Sequence, residues 1–293
     1  MLDVQLDSQL IEQKSVAKVV ELVLQTKEKI SEKIKIKPKI QIQNMVMPLN
    51  SGKGKPSLYL ICGITLYSPL AKNLSGDFAC FGIYVPQEKL FFKHAKQNND
   101  FTVSYLASLY VDAIYKHAVE NTLSKNTPPR LALGGVSFGG VLAFEIARQL
   151  TQNGCEVSGL IMLDTVLPGA LTRPWSLTLK SLIKKIRVQI GNIQNIITNN
   201  STSVKMSARE VRKVELLAII RGKATQAYLK GHPTFSGPTL IVRAAEQYGH
   251  IVEPSLCWHS RLRGPVYLGE AAGEHLEILQ SPETAKLIAA HIN

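Results

Sequence analysis

Leu131-Ala132-Leu133-Gly134-Gly135-Val136-Ser137-Phe138-Gly139-Gly140-Val141 decides how the rest of the chain is read. Its first half is an apolar run of strand character, and its end opens a helical pattern. Gly135-x-Ser137-x-Gly139 sits on the junction. A strand that turns into a helix within so few residues has no room for bulky neighbours. Glycines therefore flank the serine, and its hydroxyl projects from the strand end. The helix that follows aims the positive end of its dipole at that hydroxyl. A bare G-x-S-x-G is a weak signal, but between a strand and a helix it reads as a nucleophile elbow with Ser137 as nucleophile.

Working outward, short and nearly continuous apolar runs at 58–62, 80–85, 130–136, 157–163, 239–242 and 266–268 predict strands buried on both faces. Helical spacing predicts helices over 103–123, 141–150 and 282–291. Strands alternating with helices of this length imply an α/β fold, a mostly parallel sheet covered on both sides. Residues 171–231 carry helical patterns without a convincing strand and read as an insertion over the sheet. Asn50 to Pro56 is a turn by composition. Its resemblance to a phosphate loop fails because the G-x-x-x-x-G-K-[ST] spacing is absent.

A serine nucleophile needs a base, and the base needs an orienting carboxylate, in the chain order Ser, acid, His. His275 follows the last predicted strand in Gly273-Glu274-His275-Leu276 and is the candidate base. His94 and His117 precede the serine, His232, His250 and His259 lack such a setting, and His291 is terminal. Two acids remain open: Asp164, directly after the strand ending at Leu163, and Glu246, after the strand around Leu240 to Arg243. The oxyanion hole calls for two backbone N–H groups. Phe138, the residue after the nucleophile, supplies one and Ile64, in the loop after Ile61, the other. Cys62 in that loop reads as a small buried hydrophobe rather than a second nucleophile.

These residues carry a resemblance. The run from Leu133 through Gly134-Gly135-Val136-Ser137-Phe138-Gly139-Gly140 to Ala143-Phe144-Glu145-Ile146-Ala147-Arg148-Gln149-Leu150 resembles the elbow and helix of the type I, chain-terminating thioesterases of polyketide and non-ribosomal peptide synthases. Leu163-Asp164-Thr165 is similar to the strand end where that family carries its aspartate. Gly273 to Leu279 is similar to its histidine loop. The similarity runs from about Met45 to the C-terminus. It implies an α/β-hydrolase fold with an inserted helical lid, and catalysis by Ser137, Asp164 and His275. It further implies hydrolysis or intramolecular cyclisation of an acyl or peptidyl thioester, presented on the phosphopantetheine of a carrier domain of the same synthase. No cofactor of its own and no metal are implied. One departure stands out: the family's first loop usually reads His-Pro-x-Gly-Gly, where this chain has Cys62-Gly63-Ile64-Thr65-Leu66 before a similar Tyr67-Ser68-Pro69-Leu70-Ala71. A stand-alone editing (type II) thioesterase, and a non-catalytic interaction domain on the same fold, are the competing readings.

The N-terminal residues 1–27, with Val16, Val19, Val20 and Val23 at helical spacing, resemble the last helices of an acyl carrier domain. The expectation is a terminal synthase fragment: a carrier remnant over 1–27, a lysine- and isoleucine-rich linker over 28–44, and the thioesterase domain over 45–293 with its lid at about 171–231. Composition sets the remaining bounds. With 45% hydrophobic and 19% charged residues the chain of 293 is an ordinary globular one. No apolar stretch approaches a membrane span, and no secretory signal opens it. The four scattered cysteines lack a C-x-x-C pair, which speaks for reduced thiols and against zinc. A cytoplasmic location is the expectation. The net charge of +12 concentrates in 171–231, where twelve Lys and Arg face only Glu210 and Glu215. No nucleic-acid-binding motif accompanies it. The acidic carrier domains that the resemblance implies, and a plain solvated face, are the two readings for it.

Overall fold

The apolar runs assemble into one seven-stranded sheet in a computed structural model of the chain, which describes residues 46–85, 102–121, 130–168, 170, 208–246 and 253–292. The strands are β1 (Val46–Pro48), β2 (Ser57–Ile61), β3 (Ala79–Ile83), β4 (Arg130–Val136), β5 (Glu156–Leu163), β6 (Thr239–Ala244) and β7 (Val266–Ala271). Their spatial order is β1-β3-β2-β4-β5-β6-β7. Only β1 is antiparallel, pairing with β3 at one edge. The described helices are α1 (Ser68–Asn73), α2 (Val103–Asn121), α3 (Phe138–Gln152), α4 (Ala208–Leu229) and α5 (Pro282–His291). The helical spacing of Val16 to Val23, the remnant and linker at 1–44, and residues 171–207 of the insertion lie outside the described residues. The described part of the insertion is helical, as the pattern implied.

Burial follows from position in the sheet. β2, β4 and β5 are central and covered on both faces, so their side chains are almost uniformly buried. β7 is the other edge, and Val266, Tyr267 and Leu268 on it remain exposed. Because β2 through β7 run parallel, their carboxyl ends face the same way. The register Val136↔Leu163, Leu163↔Val242 and Ala244↔Ala271 brings the ends of β4, β5, β6 and β7 to one rim. Ligand sites of open parallel sheets form at such a rim.

α4 is fastened to α3 through a buried carboxylate. Glu145, 3% exposed, accepts hydrogen bonds from Tyr228 Oη (2.5 Å), Arg148 (2.7 Å) and the Gln149 side-chain amide (2.9 Å). A buried charge is tolerable only when it is paired and hydrogen-bonded, and here three donors meet that requirement. Burial first, then the neighbouring Glu145, pushes the Tyr228 phenol far up, so it stays a donor at every physiological pH. Tyr228→Phe removes one donor to this carboxylate. It should cost about 1–3 kcal/mol in urea unfolding and speed amide exchange in the C-terminal half of α4 more than in β4.

Candidate active site

Ser137 occupies the turn between β4 and α3 with φ 56° and ψ −123°, a backbone conformation that costs an L-residue energy. Close packing holds it there. A Cβ on Gly135 would lie 2.3 Å from the carbonyl carbon and oxygen of Gly139, and one on Gly140 would lie 1.9 Å from Thr165 Oγ1. Gly135 thus makes room for the helix, and Gly140 for the loop after β5. The Ser137 N–H donates to Leu163 O at 3.0 Å, which ties the serine to the residue immediately before Asp164.

Asp164 directly follows β5 with a φ of 40°. Its N–H donates to Val242 O (2.7 Å), and its Oδ1 accepts from the Ala244 N–H (3.1 Å). These contacts lock the carboxylate onto the end of β6. Its Oδ2 lies 2.6 Å from His275 Nδ1. The two side chains are buried, at 3% and 7% exposure. A carboxylate at that distance accepts, which matches the tautomer with its proton on Nδ1 and its lone pair on Nε2. The His275 loop is itself held by hydrogen bonds to the main chain. Gly273, with φ 101°, accepts from the Glu246 N–H at 3.1 Å, and Glu277 Oε2 accepts from the Glu274 N–H at 2.9 Å. Glu246, the other acid left open by the residues, is exposed and contributes its main chain to this loop. Of the remaining histidines, His117 is engaged elsewhere. Its Nδ1 lies 3.0 Å from Tyr59 Oη, and burial lowers its pKa.

The loop after β2 packs against the start of α3. A Cβ on Gly139 would lie 2.8 Å from Ile61 O and 3.6 Å from Cys62 Cβ. The Gly63 N–H is spent on Ile83 O at 3.1 Å, which leaves Ile64 as the next N–H along the loop. Phe138 opens α3, where helix geometry leaves N–H groups without intrahelical partners. The Arg221 guanidinium of α4 covers the Phe138 ring at 5.1 Å. Cys62, expected to be buried, is half-buried at φ 66°, and Tyr110 Oη lies 3.5 Å from its sulfur.

A model of the thioesterase domain family matches residues 61–293. The chain belongs to that family. This thioesterase domain is 33% identical over 143 residues to the non-reducing polyketide synthase crz7 of Cladonia metacorallifera, covering 47% of this chain and 6% of that protein. It is 25% identical over 170 residues to polyketide synthase PksR of Bacillus subtilis, covering 57% and 6%. The match thus spans a small fraction of these relatives' length. In fold it is similar to the NocB thioesterase domain from the nocardicin cluster (TM-score 0.59, 21% identity, 85% of this chain and 98% of that one). It is similar likewise to the Vlm2 thioesterase domain (TM-score 0.58, 17% identity, 86% and 99%). Among the described residues of the thioesterase domain, no cluster of His, Cys, Asp and Glu is set to hold a metal ion. None of their helices is long and apolar enough to cross a membrane.

One support of the site was not legible in the sequence. Trp258, fully buried, donates from Nε1 to Thr165 O at 2.6 Å and packs on Phe144 at 5.0 Å between ring centroids. Its turn is held by Glu253, whose carboxylate accepts from the Ser255 hydroxyl and N–H and the Cys257 N–H. Burial would raise the Glu253 pKa, but these hydrogen bonds outweigh it and hold the group low. Trp258→Phe keeps most of the packing and strands the Thr165 carbonyl. It should lower stability by about 1–3 kcal/mol, read as a shifted midpoint in urea unfolding.

Proposed function

We propose that this thioesterase domain releases an acyl or peptidyl chain from the phosphopantetheine arm of a carrier domain, using Ser137, His275 and Asp164 as a catalytic triad. The observation that carries the reading is the buried 2.6 Å contact of His275 with Asp164, on the rim where Ser137 ends β4 and bonds to Leu163. In the proposed reaction His275 Nε2 takes the Ser137 hydroxyl proton as Oγ attacks the thioester carbonyl. Asp164 holds the imidazole by Nδ1 and stabilises the imidazolium that forms. The N–H groups of Phe138 and Ile64 receive the oxyanion. His275 returns the proton to the departing phosphopantetheine thiol, leaving an acyl-serine. Water, or a hydroxyl or amine of the chain itself, then attacks the acyl-serine, with His275 again as base. The products are a free acid or a cyclised chain.

The relatives support a carrier-bound substrate, because the curated sequences that part of this domain matches are polyketide synthases. The basic segment offers such a carrier a surface. On α4 and the turn after it, Arg212, Lys223 and Lys230 are exposed, whereas Lys184 and Lys185 lie outside the described residues.

With a panel of acyl-N-acetylcysteamine thioesters, wild type should give an acyl adduct or released product by intact-mass spectrometry. Ser137→Ala should give neither, and Asp164→Asn should lose about 10³–10⁴-fold in kcat. Turnover that survives Ser137→Ala would sink the triad. Charge reversal at Lys223 and Lys230 should raise KM several-fold for carrier-delivered substrate and leave the free thioester unaffected. Equal KM values on the carrier would remove those lysines from docking.

A further inference from the structure

The Tyr67 side chain is fully buried beside the elbow, and none of the steps above uses it. Its hydroxyl donates to Ile61 O at 2.7 Å and accepts from the Val136 N–H at 3.1 Å. Those two groups belong to neighbouring parallel strands. β2 and β4 pair through Leu60↔Gly134. In a parallel ladder successive amides along a strand point to opposite neighbours. Since the Ser137 N–H goes to β5, the Val136 N–H faces β2. One further step of the same register would join the Val136 N–H directly to the Ile61 carbonyl. The Tyr67 hydroxyl stands in that bond, spliced between donor and acceptor. It therefore holds the strands apart where β2 gives way to the Cys62–Ile64 loop and β4 gives way to Ser137. The same side chain fills the wedge it opens. A Cβ on Gly63 would lie 3.2 Å from Tyr67 Cε2, and one on Gly139 would lie 3.3 Å from the hydroxyl.

We propose that Tyr67 is a positioning residue for the oxyanion hole: by replacing the last β2–β4 ladder bond with two bonds through its hydroxyl, it sets the gap between the Ile64 and Phe138 N–H groups. The inference rests on the triad reading, since it concerns the oxyanion of the Ser137 adduct. An oxyanion hole works only when its donors meet the position the developing charge will occupy. A misplacement of about 1 Å costs on the order of 10²-fold in rate. A hydroxyl that both donates and accepts is needed for the splice, which phenylalanine cannot provide.

Tyr67→Phe tests this. Without the oxygen, Val136 N–H and Ile61 C=O are a complementary pair in register and can close on each other. The variant should therefore fold, with a urea midpoint near that of wild type. Its kcat on an acyl-N-acetylcysteamine substrate should fall about 10- to 100-fold with KM within about twofold. Affinity for an acyl boronic acid, whose Ser137 adduct carries a tetrahedral oxyanion, should fall in parallel with kcat. Placing 4-aminophenylalanine at position 67, whose amine both donates and accepts, should restore most of the lost rate. A variant that loses stability but keeps kcat per folded molecule would overturn the proposal, because the hydroxyl would then only hold the fold together. Failure of Tyr67→Phe to fold would overturn it as well. Ser137→Ala is measured beside it: turnover surviving there defeats the triad, whereas an inactive Ser137→Ala beside an unimpaired Tyr67→Phe defeats the positioning role alone.

Discussion

The turn at Ser137 is the constraint on which the other features of the site depend. A residue with a side chain held at φ 56° costs on the order of 1–3 kcal/mol, and such a conformation persists only where the surroundings over-determine it. Here they do so from three sides. Gly135 admits the backbone of Gly139 and Gly140, Gly140 admits Thr165, and Gly139 admits the carbonyl of Ile61. Each contact that forces the serine upward also pulls a neighbouring loop inward. The loop carrying Ile64 and the loop carrying Asp164 are therefore positioned by the same packing that strains Ser137. A methyl group at any of the three glycines would disturb all of these loops together.

Asp164 and His275 are held together by a different device, the parallel register. Asp164 closes β5, where its N–H and Oδ1 are both engaged by β6. His275 is delivered by the loop after β7, the neighbour on the far side of β6. The hydrogen bond between them thus crosses the end of β6. Its length depends on ladder geometry rather than on a mobile side chain. Burial of both groups removes the water that would otherwise compete for the carboxylate, and its other oxygen, Oδ1, accepts from the Ala244 N–H. That is the condition under which a buried charged group is tolerable.

Much of the fold was legible in the sequence because central parallel strands must be apolar on both faces. Arg130–Val136 and Pro282–His291 have the predicted bounds, and α3 extends its prediction at both ends. β1 was not legible: three residues on an antiparallel edge carry no periodicity. Six-residue α1 is too short for a helical repeat to show. At the candidate site, the segments around Ser137 and His275 read as motifs. The residues alone left Asp164 and Glu246 open because both follow strands; that Asp164 is the one beside the His275 imidazole depends on which strand end faces it. That is a property of register, invisible to spacing. The parts wholly missed are long-range. Tyr67 meets Val136 across 69 positions, Trp258 meets Thr165 across 93, and Tyr228 meets Glu145 across 83. No local pattern encodes such contacts.

The attachment of α4 gives the insertion a mechanical link to the chemistry. Arg221 covers Phe138, and Tyr228 donates to Glu145. The two contacts are seven residues apart on each helix, so α3 and α4 run in the same direction in step over about 10 Å. The first contact falls on the residue that opens α3, the second on a buried carboxylate two turns later. A shift of α4 along its axis would have to break the charged hydrogen bond at Glu145 before it could uncover Phe138. An outward tilt about Glu145 could lift Arg221 from the ring while keeping that bond. The geometry therefore favours pivoting over sliding. The C-terminal half of α4 is thus anchored at Glu145, while Arg221, earlier in the helix, lies over the residue that opens α3.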